Sequence, residues 1–146
     1  MLRQPTAADF EAWRNLYRQY CEFYQVSFSD ELANTVWGWL HDTDHVLEGL
    51  VAVRDGQVVG LAHFREVPEP LAGAHGGFLD DLFVDPAMRG QGIGRALIAD
   101  VVNTAKSRNW VGVQWLTGDD NYPARRLYDQ VAIRTMWLTY EAKTTR

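Results

Sequence analysis

Arg89-Gly90-Gln91-Gly92-Ile93-Gly94 lies between an apolar segment, Phe78-Leu79-Asp80-Asp81-Leu82-Phe83-Val84, and a run in which Ile93, Ala96/Leu97, Asp100/Val101 and Thr104/Ala105 recur about every 3.6 residues. The upstream segment is short, rich in aromatic and aliphatic residues, and stopped by Asp85-Pro86, which cannot extend a ladder. It reads as a strand. The downstream run reads as a helix beginning near Gly92. A helix N-terminus offers unpaired backbone N–H groups and the positive end of the macrodipole, so an anion is stabilised there. Glycines at 90, 92 and 94 let that anion approach the main chain, and Arg89 or Arg95 adds charge from the side.

Two well-known glycine loops fail on spacing. The dinucleotide fingerprint G-x-G-x-x-G needs a third glycine where Arg95 stands if it starts at Gly90, or where Leu97 stands if it starts at Gly92. The Walker loop needs glycine at Arg95 followed by lysine. What remains is R-x-x-G-x-G after a strand that ends in Val84-Asp85-Pro86.

This strand, loop and helix resemble the acetyl-CoA-binding motif of the GNAT acetyltransferase superfamily. The resemblance implies that the loop amides of Arg89, Gly90, Gln91, Gly92, Ile93 and Gly94, with Arg95, hold the coenzyme A pyrophosphate. It also implies that the backbone of Leu82, Phe83 and Val84 meets the pantetheine arm.

The rest of the chain alternates in type. Leu2 to Gln4 reads as a short first strand, and Thr6-Ala7-Ala8-Asp9 as a capping-box-like start for a helix marked by Phe10, Trp13, Tyr17, Tyr20 and Tyr24. Ser29 caps a second helix, with Asp30 and Glu31 in its first turn. Leu47 to Val53 and Val58 to Phe64 form an antiparallel pair about the Asp55-Gly56 turn. Pro68 to Gly77 reads as a loop, Val111 to Leu116 as a strand, Tyr122 to Tyr128 as a short helix, and Thr135 to Glu141 as a last strand. The order β-α-α-β-β-β-α-β-α-β is α+β, a mixed sheet between helices, expected as one domain over residues 1–146.

A second constellation is Asn121-Tyr122-Pro123-Ala124-Arg125-Arg126-Leu127-Tyr128. Asn121, Ala124, Leu127 and Tyr128 are similar to the GNAT pattern of an Asn followed by A-x-x-[LF]-Y. The resemblance implies that Asn121 contacts the coenzyme and that the Tyr128 hydroxyl points at its sulfur; Arg125 belongs to the local positive charge expected around the phosphates. The chain departs from the family where Ala132 replaces a glycine before the last strand.

An amine at neutral pH is largely protonated, so a base must take its proton before attack on a thioester. Asp80 or Asp81 can do so. Neighbouring strand residues point to opposite faces, so one of the two faces the cleft unless a bulge intervenes. Resemblance to the E-D-F-F-V strand of spermidine/spermine acetyltransferases favours Asp80. By the same analogy the Leu82 amide stabilises the oxyanion and Tyr128 protonates the departing thiolate.

Composition bounds the alternatives. The chain has 146 residues, 47% of them hydrophobic, which suffices for one core. Its apolar stretches are too short to cross a bilayer and its N-terminus lacks a signal peptide's apolar middle, so a cytoplasmic protein without membrane contact is expected. A net charge of −5 argues against nucleic acid as partner. Cys21 is the sole cysteine and reads as a core residue; His41, His45, His63 and His75 have no metal-ligand spacing and read as ordinary polar residues, so no metal is expected. The expected acceptor is a small cationic amine, and the edge of the last strand offers a surface for a homodimer. A non-catalytic acyl-CoA-binding module and a protein-lysine acetyltransferase are the rival readings.

Overall fold

The computed structural model describes residues 1–145. The chain divides into two compact units, residues 1–116 and the residues from Thr117 onward.

The first unit is built on a sheet of β1 (Leu2–Arg3), β2 (Leu47–Arg54), β3 (Gln57–Glu69), β4 (Ala74–Val84) and β5 (Val113–Gln114), hydrogen-bonded in that order. The first four strands run antiparallel and β5 runs parallel to β4. The sheet is therefore mixed, as the sequence pattern predicts. Asp55 and Gly56 both take positive φ, 51° and 76°, which is the backbone that a tight two-residue hairpin turn requires.

Helices α1 (Phe10–Phe23) and α2 (Asp30–His41) cover one face. The chain enters α1 through a short 3₁₀ turn in which the Asp9 carboxylate accepts the Thr6 N–H at 2.7 Å and pairs with Arg3. At the start of α2 the Ser29 hydroxyl accepts the Leu32 N–H at 3.0 Å. Trp13 and Leu16 of α1, Ala33 and Val36 of α2, and Val51, Leu61 and Phe83 of the sheet form one buried cluster. Helix α3 (Ile93–Ser107) covers the opposite face with Ile93, Leu97, Ile98 and Val101. Neighbouring residues of β3 show the two sides: Leu61 joins the Trp13 cluster, while a Cβ added at Gly60 would lie 3.3 Å from both Ile93 and Leu97.

Three expectations are corrected. Pro68 to Gly77 is not a loop: β3 and β4 continue pairing to Glu69↔Ala74 and turn at Pro70–Ala72 and Gly73. β2 ends opposite Arg65, so Pro68 lies where β3 has a strand neighbour on one side only, and there a missing N–H is tolerated. The strand expected over 111–116 is reduced to Val113–Gln114. Residues 135–141 alternate in the sequence but form no strand, because alternation supplies a face and not a ladder partner; Ile133, Met136, Trp137, Leu138 and Tyr140 are highly exposed. The edge on which the homodimer expectation rested is thus not formed.

The second unit contains α4 (Tyr122–Val131), which opens with Pro123 in its first turn and extends past the expected Tyr128.

Candidate active site

The site begins where β4 and β5 part. The two strands pair only at Gly77↔Val113 and Phe78↔Gln114, so from Leu79 to Val84 that edge of β4 has no strand partner among the described residues. On its other edge β4 stays paired with β3, but the register shifts: His63 faces Asp81 and Phe64 faces Leu79, leaving Asp80 as an extra residue in a β-bulge. The bulge therefore sits at the fork.

Its consequence is electrostatic. β3 keeps its alternation, so Leu61, His63 and Arg65 face α1, and Asp81 meets His63 while Asp80 meets Arg65. Both carboxylates consequently lie on the α1 face, where simple alternation would have separated them. The Arg65 Nε–H donates to the two Asp80 oxygens at 3.2 and 3.0 Å. Burial is the largest influence on Asp80 and pushes its pKa up; Arg65 opposes that shift and the Asp81 charge adds to it.

Asp81 is held differently. His63 Nδ1 lies 2.8 Å from Asp81 Oδ2, and the Tyr17 hydroxyl donates to the same oxygen at 3.2 Å. Trp13 Nε1–H donates to His63 Nε2 at 2.9 Å. An indole N–H can only donate, so Nε2 is the unprotonated ring nitrogen and the proton on Nδ1 points at Asp81. Tyr20 donates to the Asp80 carbonyl at 3.4 Å. Burial first, then the Asp81 charge, raises the pKa of both Tyr17 and Tyr20, so these phenols stay protonated donors.

The strand run from Asp80 to Val84 spans about 13 Å at strand rise and leads to the glycine loop. Gly90 and Gly92 both have φ of +79°, and nothing lies within 4 Å of a Cβ added at either. Gly92 is the N-cap of α3, which has no side-chain cap bond and no acidic residue in its first turn. The first N–H groups of α3 are thus left without a side-chain cap. The loop backbone fits a pyrophosphate on these grounds. Arg89 is turned back, its Nε–H donating to the Val84 carbonyl at 3.1 Å and its guanidinium 5.1 Å from the Phe83 ring, and Arg54 bonds Gln91.

The structure brings Asp80, Leu82, Phe83, Val84 and residues 89–95 together in the first unit. Leu82 pairs with Ala62 on β3. Asn121, Arg125 and Tyr128 belong to the second unit. There Asn121 caps α4 and donates to Thr117 Oγ1 at 3.2 Å; the Arg125 guanidinium bonds the Asp119 carbonyl and lies 5.8 Å from the Tyr122 ring; half-buried Tyr128 stands in the middle of α4.

Sequence reasoning did not single out His63 or Arg65, and it read Trp13 and Tyr17 first of all as helix core. His63 is not an ordinary polar residue; it is wholly buried. Its one sequence signal is position: it continues the inward-facing series Leu61, His63 of an apolar strand, where a histidine needs partners. Cys21 is buried, and burial raises its thiol, as suits a core residue.

Among the described residues no helix is long and apolar enough to cross a membrane. Residues 13–132 match the model of the acetyltransferase (GNAT) family. The chain is 30% identical over 135 residues to the D-amino-acid N-acetyltransferase HPA3 of Saccharomyces cerevisiae, an alignment that covers 91% of this chain and 84% of that protein. Among solved structures, a ribosomal-protein-alanine N-acetyltransferase from Brucella melitensis biovar Abortus 2308 superposes with a TM-score of 0.80 at 27% identity over 99% of this chain and 98% of that one. The aminoglycoside N-acetyltransferase AAC(6')-Iy, solved in complex with CoA, superposes with a TM-score of 0.84 at 20% identity, covering 98% of this chain and 93% of that one, a likeness of fold. Strand fork, bulge, glycine loop and these matches together make the chain a member of the GNAT family of N-acetyltransferases, whose acyl donor is acetyl-CoA.

Proposed function

We propose that this enzyme transfers the acetyl group of acetyl-CoA to the primary amine of a small acceptor by direct attack in a ternary complex, with Asp80 as the base. The observation that carries this reading is the bulge at the fork, which sets a carboxylate of raised pKa beside the open edge of β4. A raised pKa brings a carboxylate closer to the pKa a general base needs at neutral pH. The HPA3 relative is by its name a D-amino-acid N-acetyltransferase, which supports a small acceptor here.

In this mechanism the residues 89–95 hold the pyrophosphate and Leu82, Phe83 and Val84 align the arm. The amine gives its proton to Asp80, its lone pair forms the C–N bond, and the Leu82 amide stabilises the oxyanion. Collapse breaks the C–S bond, and the family resemblance assigns the thiolate's proton to Tyr128 and a coenzyme contact to Asn121. The test is thiol release from acetyl-CoA with a panel of amines, products identified by mass spectrometry. Wild type turns over at least one amine and Asp80→Asn loses about 10²- to 10⁴-fold in kcat/KM. Tight coenzyme binding with no turnover on any amine would favour a binding module instead, and unchanged kcat in Asp80→Asn removes Asp80 as base.

A further inference from the structure

Arg65 is paired with Asp80 in an unusual manner for this molecule. Where the chain pairs an arginine structurally it uses the forked end: Arg108 donates from Nη1 and Nη2 to the two oxygens of Glu48 at 2.6 and 2.7 Å, and Arg3 does the same to Asp9 at 2.6 and 3.0 Å. Arg65 pairs through Nε alone. Its guanidinium carbon also lies 5.1 Å from the centroid of the Phe78 ring. The guanidinium is thereby tied to a carboxylate through Nε and lies over an aromatic ring, while the N–H bonds of Nη1 and Nη2 meet no acceptor among the described residues. The side chain as a whole is 38% exposed. A guanidinium held in this way presents a planar fork whose orientation is set in advance, which is the geometry that receives a carboxylate in a bidentate fashion.

We propose that Arg65 binds the carboxylate of the acceptor while the acceptor's amine is delivered to Asp80, so that the substrate class is an amino acid. Both contacts are made to one small ion pair, so amine and carboxylate must be separated by only one or two carbons. The amine's positive charge meets Asp80 and the carboxylate meets the cation that Asp80 already orients. This inference rests on the reading that Asp80 takes the amine proton.

The experiment compares kcat/KM, at saturating acetyl-CoA, for both enantiomers of alanine, phenylalanine and lysine with that for ethylamine, phenethylamine and cadaverine, in wild type, Arg65→Gln and Arg65→Lys. Each amino acid and its decarboxylated partner differ in intrinsic basicity, so the decisive quantity is how their ratio changes with the substitution. Arg65→Gln lowers kcat/KM for at least one amino acid by about 10- to 100-fold more than for its amine, chiefly through KM, because a charge-assisted pair is lost. Arg65→Lys, which keeps the charge without the fork, lies between. Equal losses for acid and amine overturn the proposal, as does a wild type that acetylates the amines and none of the amino acids; in both cases the acetyltransferase reading stands. If no amine of either kind is turned over, both fall together. Inhibition of amino-acid turnover by propionate, which has the carboxylate and no amine, reads the same site in wild type alone, and its absence counts against the proposal should Arg65→Gln not fold.

Discussion

Replacing His63 by leucine isolates one hydrogen bond of the chain that holds Asp81. The Trp13 indole is fully buried and its N–H has His63 Nε2 as its acceptor. With leucine at that position the N–H is orphaned, at a cost of about 1–3 kcal/mol. Asp81 suffers less, since it keeps the Tyr17 hydroxyl and its side chain is 19% exposed, enough for water to replace the lost donor. For a chain of this size each kcal/mol moves Tm by about 2–4 °C, so His63→Leu should melt roughly 2–12 °C below wild type. The pairwise origin is tested by a cycle with Trp13→Phe. In wild type that change orphans His63 Nε2; in the His63→Leu background it removes the orphaned N–H instead. Trp13→Phe is therefore expected to cost about 1–3 kcal/mol less in the second background, read from urea midpoints at equal m-values. Additivity within about 0.5 kcal/mol would refute the assigned tautomer and the hydrogen bond with it.

Three further outcomes follow from the geometry. With Asp80 as the proposed base and burial raising its pKa above 3.8, kcat/KM falls as pH drops through a midpoint above that value; Asp81→Asn removes a charge that raises it, so the acidic limb moves to lower pH in a pH–rate profile. Gly92→Ala places a side chain at φ +79°, costing roughly 1–2 kcal/mol in backbone strain, so Tm falls; with residues 89–95 as the proposed pyrophosphate loop, calorimetry also shows weaker coenzyme A binding. Asp9 is held down to about 2, first by the Arg3 hydrogen bond, so its stabilisation is complete above about pH 4 and is lost as pH falls toward 2; Asp9→Asn flattens the stability curve in that window and a retained slope refutes the assignment.

Elements whose signal is local were legible in the sequence. The Asp55-Gly56 turn, the Ser29 cap and the glycine loop before α3 each depend on a few adjacent residues, and they occur where the pattern places them. Features fixed by a partner strand were not. Pro68 and the glycines after it read as loop because nothing in their own sequence says that β2 has already ended. The run from Thr135 to Glu141 has the alternation of a strand without a ladder. Within the site, the pair Asp80-Asp81 was visible as an acidic step in an apolar strand, but its common facing depends on a register shift against His63 that a single strand cannot disclose. His63 itself was hidden by type, since a buried histidine is recognisable only when its donor and acceptor are both in view.

The bulge at Asp80 makes the site sensitive to chain length at one point. Deleting Leu79 would restore regular pairing with β3 and carry Asp80 to the α3 face, opposite Phe64, while Asp81 stays opposite His63 and the register on either side is unchanged. Substitutions in this segment leave the bulge and the facing it imposes intact, whereas that deletion separates the two acids onto opposite faces of the sheet. The extra residue sets which way the acids face, so a deletion that removes the bulge should be less tolerated than a change of residue type.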